Sequence, residues 1–152
     1  MESTSLKFAV IALALSGCVN PAGARMGLFT TTMPMVAIVG AEAFAGESVG
    51  NIDGTGTIKL KGISRPECEC GGDFHYQSDR LGVGTIRCTD GTDALFQLRA
   101  LGTLTGYGFG RAKSGDVSFA YGLTLEQAQP YLKLPPGKKL QRKDNELLLT
   151  DS

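Results

Sequence analysis

The sequence predicts a mainly β protein: an antiparallel β-meander of glycine-rich hairpins, forming a small sandwich or partly open barrel, plus one short C-terminal helix. Three observations predict it. Gly-x-Gly recurs at Gly54-Thr55-Gly56, Gly82-Val83-Gly84 and Gly106-Tyr107-Gly108, at intervals of about 24 to 28 residues, short enough for one hairpin per repeat. Residues after these glycines alternate with period two, as in Val83, Thr85, Arg87 and Thr89 against Gly84, Ile86 and Cys88. Turn signals separate the runs: Asp53-Gly54, Asp90-Gly91 and Ser114-Gly115-Asp116.

Composition narrows the function classes. A chain of 152 residues with 42% hydrophobic residues suits one domain with a real core. Lys plus Arg equals Asp plus Glu, at 15 each, so no basic excess points to nucleic acid. There are 21 glycines, roughly twice ordinary usage, and no tryptophan.

The amino terminus reads as an export signal over 1–17. Lys7 precedes the apolar run Phe8–Leu15, which is far shorter than the ~20 residues of a membrane-spanning helix and has the length of a signal-peptide core. The run ends in Leu15-Ser16-Gly17-Cys18. This tetrapeptide resembles the bacterial lipobox. The resemblance implies cleavage before Cys18, lipidation of that cysteine, and, with Val19 next, sorting to the outer membrane. Several acyl chains anchor far better than one. Residues 18–34 are expected to be a turn-rich tether and 35–152 a single β-rich domain. A competing export reading takes Val36–Gly40 as the apolar core, with a cleavage site at Ala43-Phe44-Ala45; Phe44 fits better into the repeats.

Phe44-Ala45-Gly46 followed by Gly54-Thr55-Gly56 resembles MORN repeats, in which an aromatic-x-glycine unit leads to Gly-x-Gly and an Asp-Gly turn. The glutamate–tryptophan segment of that family has no counterpart here. The resemblance implies a hairpin array and no function is taken from it. Glycines at alternate strand positions leave gaps on one face, and Phe44, Phe74, Phe96, Phe109 and Phe119 are the candidates to fill them. A phosphate-binding loop would need a helix after the glycines, and strand-like residues follow instead.

Cys68, Cys70, His75 and Cys88 have the ligand types of a zinc site, although Cys-x-Cys spacing is tight. Export favours a disulfide instead. A turn at Asp79–Gly82 would set 77 opposite 84, 75 opposite 86 and 73 opposite 88, with Gly71-Gly72 as slack. Cys70–Cys88 is then favoured over Cys68–Cys88, which leaves Cys68 over. No metal and no cofactor are expected.

Towards the carboxy terminus, Val117, Phe119 and Tyr121 alternate with Ser118 and Ala120 in a strand. Thr124-Leu125-Glu126-Gln127 has the pattern of a capping box, and Leu125, Ala128, Tyr131 and Leu132 recur at helical spacing despite Pro130. Pro135-Pro136-Gly137 ends this helix. A closing hairpin follows, with Lys138–Lys143 as a solvated edge and Leu147–Leu149 in the core.

The expectation is a non-catalytic, lipid-anchored envelope protein that binds another envelope component. The alternative is a periplasmic inhibitor or small-ligand module, with Tyr107, Phe109 and Tyr121 lining a shallow apolar site. An envelope enzyme ranks last: no nucleophile elbow surrounds Ser64 or Ser78, and no carboxylate is marked out.

Overall fold

The computed structural model describes residues 25, 26 and 29–152. The expected leader, the expected lipidation site Cys18 and the first part of the expected tether lie outside these residues. Nine strands form one sheet in sequence order: β1 (Arg25–Met26), β2 (Thr30–Val39), β3 (Glu42–Asn51), β4 (Thr55–Gly62), β5 (Glu69–Tyr76), β6 (Leu81–Cys88), β7 (Asp93–Ala100), β8 (Gly106–Ala112) and β9 (Gly115–Tyr121). Every pairing is antiparallel, and Met35–Val39 of β2 pair with Val117–Tyr121 of β9. The eight-stranded meander β2–β9 therefore closes into a barrel. Closure removes the sheet edges that would otherwise invite association.

The domain starts earlier than the expected boundary at residue 35. Thr30–Pro34, assigned to the tether from their polar character, form the first half of β2. Pro34 pairs with Glu47 on the β3 side. On its other side β2 pairs with β9 from Met35 on and with β1 at Thr31 and Thr32, so Pro34 falls in the gap between those partners. A residue without an N–H suits such a gap. Val36–Val39 and Ala43–Ala45, from the alternative export signal, are barrel wall, and Gly40 lies in the turn between them: Ala37, Ile38 and Phe44 are almost wholly buried.

Register explains the glycines. The partners of Thr31, followed round the barrel, are Gly50, Gly56, Phe74, Gly84, Phe96, Gly110 and Val117, and the path returns to β2 at Val39, eight residues further on. A barrel with this little stagger is narrow, and its interior must be filled by side chains. Inward aromatics alternate across strands with inward glycines. Phe74 lies over Gly56, Phe96 over Gly84 and Phe119 over Gly108, so a Cβ at any of these glycines would collide with the ring. Phe96 and Phe119 meet edge to face, with ring centres 5.0 Å apart. Phe44 is also buried inside, but Phe109 is not: it has the opposite parity on β8 and is exposed on the outer wall.

The turns use the residues that the sequence offered. Asp53 Oδ1 accepts from Thr55 N at 3.0 Å and Asp90 Oδ1 from Thr92 N at 2.9 Å, while Gly54 and Gly91 take φ of 83° and 90°. The β5–β6 turn falls earlier in the chain than expected. Gln77 N donates to Leu81 O at 2.8 Å, so Ser78–Arg80 alone make the loop. His75 therefore pairs with Val83, and Cys70 sits directly opposite Cys88. Asp79–Gly82 looked like the turn because of Gly82, but Gly82 is an inward strand residue beneath Leu98. Gly71 and Gly72 supply no slack; both lie mid-strand.

Thr124 caps α1 (Leu125–Ala128), accepting from Gln127 N, while the Gln127 side chain accepts from Thr124 N. A 3-10 turn at Gln129–Tyr131 carries Pro130. β10 (Lys138–Lys143) and β11 (Glu146–Asp151) form a separate hairpin through Asp144 and Asn145, both at positive φ. Helix and hairpin cover one strip of outer wall, burying Ile38, Ala43, Ala120, Ala128, Leu132 and Leu140, with Leu147 and Leu149 packed against them.

Candidate functional site

The two ends of the barrel differ. One end carries the β2–β3, β4–β5, β6–β7 and β8–β9 connections and is filled. Cys70 and Cys88 point inward there, form a disulfide and have Cα atoms 3.9 Å apart. They occupy one of the closer, non-hydrogen-bonded positions, since the neighbouring Thr89 N donates to Glu69 O at 2.8 Å. Cys68 is free and buried beside them. Over this end Arg65 reaches Glu42 Oε2 at 2.6 Å and Asp90 Oδ2 at 3.3 Å. His75 lies five residues from Cys70 on β5 with its side chain on the outer wall, away from the cysteines. Among the described residues no three His, Cys, Asp or Glu side chains are grouped to hold a metal ion.

The opposite end is hollow. A cavity of about 290 Å³ opens there, walled by Met33, Met35, Ile58, Phe74, Leu98 and Phe119 and rimmed by Phe29, Ile52 and Leu104. Glycine produces the space: Gly50 and Gly54 also line it, where larger residues would fill it. The polar groups in the wall are few. Ser48 is buried, and the Tyr76 and Tyr121 hydroxyls meet at 2.6 Å. Gly106 makes this pair possible, because any Cβ there would collide with the Tyr121 hydroxyl. Phe74 packs edge-on against Tyr76 at 6.0 Å.

Burial raises the Tyr121 phenol far above its ordinary range, and the neighbouring Tyr76 raises it further. Burial also raises Tyr76, against a smaller opposing effect of its hydrogen bond to Tyr121. Both phenols are therefore neutral at physiological pH. Two hydroxyls carry two hydrogens, and their mutual bond uses one. The pair thus offers one further O–H donor to a guest in the cavity.

The three aromatics expected to share a binding surface do not converge. Tyr121 faces the interior. Tyr107 lies outside, stacked on Tyr131 with centroids 4.4 Å apart. Phe109 floors a wide outer groove with Leu95, walled by Pro130–Lys133. Tyr76, the partner of Tyr121, was not picked out from the sequence. It has the same parity on β5 as Phe74, and an inward aromatic at a strand end was the available signal.

The outer wall carries Lys59, Lys61, Asp73, Arg87 and Arg111, while inward positions are apolar. That is the reverse of a barrel that spans a bilayer. Fold and site together define a narrow, water-facing β-barrel, cross-linked at one end and open to an apolar cavity at the other. No protein-family model, no curated protein and no solved structure matches the chain.

Proposed function

We propose that the protein is a non-catalytic binding module of the bacterial cell envelope, anchored by a lipid on Cys18, that takes a small apolar ligand into the barrel mouth. The cavity of about 290 Å³ beside the Tyr76–Tyr121 pair carries this reading. Small-molecule sites are concave and mostly apolar, with a few placed polar groups, and the mouth of a β-barrel is a preferred place for them. The wall selects the chemistry. Neutral phenols in an apolar wall favour an uncharged guest with one hydrogen-bond acceptor, such as a carbonyl. The anchor rests on Leu15-Ser16-Gly17-Cys18.

The test uses naphthalene and 1-acetylnaphthalene, two guests that differ by one carbonyl. The carbonyl compound should bind about 3- to 10-fold more tightly, the worth of one hydrogen bond, and the Tyr76→Phe/Tyr121→Phe double variant should erase the difference, because either hydroxyl left alone still donates. Binding of neither guest would sink the cavity reading. Palmitate labelling of cells tests the anchor: label on wild type and also on Cys18→Ala would defeat it.

A second reading, docking of an envelope protein on the outer wall, has its own support. Leu95 is 73% exposed and lies beside Phe109 in the outer groove. Leu95→Lys should abolish capture of such a partner in crosslinking from intact envelopes.

A further inference from the structure

We infer that the rim of the barrel mouth is a membrane-contact surface, seated on the bilayer that holds the lipid anchor, so that the cavity opens towards lipid. The inference rests on the anchored-barrel reading above and adds the orientation of the barrel and the source of its guest.

Apolar side chains single out this end. Ile52 is 84% exposed, Phe29 65%, Leu101 47% and Leu81 45%. They come from four separate places: the turn after β3, the residue before β2, the loop after β7 and the start of β6. All four places lie at the open end. The remaining exposed large apolar residues among those described, Leu95 and Phe109, lie on the outer wall. The open-end turns also carry the exposed charges of Asp53, Asp79 and Arg80, and the disulfide end carries the Arg65–Glu42–Asp90 ion pairs. Phe29 and Ile52 are held together, since Ile52 N donates to Phe29 O at 3.1 Å, and both also rim the cavity. Rim and cavity thus form one continuous apolar surface.

Area and attachment decide between a second copy and a bilayer. The four side chains expose on the order of 400 Å² in a ring around a hollow centre, well below the ~800 Å² per partner of a stable interface. A bilayer needs no such area once an anchor holds the protein beside it. Arg25 pairs with Thr32, so the chain reaches the barrel near this end. Cys18 is seven residues earlier, a reach of at most ~25 Å. A guest entering the mouth would then come from the membrane, as a neutral lipid-phase molecule with one acceptor group.

The chain lacks tryptophan, which makes one introduced tryptophan a clean reporter. Ile52→Trp and Leu95→Trp both fall at exposed positions, so neither should disturb folding. Each full-length variant is placed in phosphatidylethanolamine–phosphatidylglycerol vesicles with brominated acyl chains. It is examined once with its anchor and once as the Cys18→Ser protein mixed with excess vesicles. Residues seated at the acyl boundary, some 5–10 Å deep, should be quenched at least about threefold more than residues on the wall. Such a ratio for Ile52→Trp over Leu95→Trp is the expected result. Equal quenching would overturn the inference even where the protein floats with the vesicles, and would leave the anchor standing. Unlabelled wild-type protein whose Ile52→Trp is still quenched preferentially would remove the anchor and leave the rim. Concentration-dependent shielding of Ile52→Trp without vesicles would identify a second copy as the occupant and overturn it.

Discussion

Gly71 and Gly72 are neighbours in the middle of β5, and alanine should act on them with opposite sign. Glycine in a strand costs roughly 0.5–1 kcal/mol relative to alanine, because it loses more backbone freedom on folding. Propensity alone therefore predicts that both substitutions stabilise. Gly71 faces out, and the nearest atom to a Cβ built on it is Ile58 O at 3.9 Å, an ordinary contact. Gly71→Ala should keep the full gain of about 0.5 kcal/mol or more. Gly72 faces in, between Ile58 and Ile86. A Cβ there falls on the Thr85 carbonyl oxygen and within 3.2 Å of Ile86 Cα. Both atoms are backbone, so the strand itself must move. Overpacking of this kind costs about 1–3 kcal/mol, and the rigid obstacle puts it in the upper half. After the backbone gain is set against it, Gly72→Ala should destabilise by about 1–2.5 kcal/mol. Urea unfolding followed by far-ultraviolet circular dichroism, with the disulfide intact, measures both. Shifts of the same sign, or Gly72→Ala at or above wild type, would refute the view that inward glycines are set by close strand approach.

Three further outcomes are expected. Gly84→Ala should destabilise because its Cβ meets the Phe96 ring, and Phe96→Leu should relieve part of that cost, giving a coupling of ~1 kcal/mol in a double-mutant cycle; strict additivity would refute the contact. Reduction of Cys70–Cys88, whose partners are 18 residues apart, should lower stability by ~3 kcal/mol, read as the fall in urea midpoint with dithiothreitol. Tyr76 and Tyr121 have folded-state pKa values above the unfolded value of about 10, so their contribution is fully present below pH ~10 and is lost as pH rises above it. Absorbance at 295 nm should accordingly show Tyr76 and Tyr121 ionising only on alkaline unfolding, and their ionisation while the barrel is still folded would refute the buried pair.

Much of the fold was legible because it is local. Asp-Gly turns, the Thr124–Gln127 capping box and the Asp144–Asn145 hairpin each depend on a few adjacent residues, and the structure has all of them. The Cys70–Cys88 pairing was also legible, although the register behind it was not. Gly82 reads as a turn glycine in the sequence and is a packing glycine in the barrel, because one residue type serves both purposes. The site was less legible. Tyr107, Phe109 and Tyr121 were grouped by proximity in sequence, but strand parity sends the first two outward and the third inward.

The sequence by itself determined the class of the molecule: alternating strands, glycine turns, a capped helix and a cysteine pair within one hairpin. These follow from steric rules that act over two to ten residues. Only the tertiary structure decided that the meander closes, that its stagger is eight residues, and that one end is filled while the other is hollow. Closure depends on the registers of all eight barrel pairings taken together, so a slip in any one of them changes where β9 meets β2. The cavity follows from that closure, because it places Tyr76 against Tyr121, 45 residues away, at a mouth that no single strand contains.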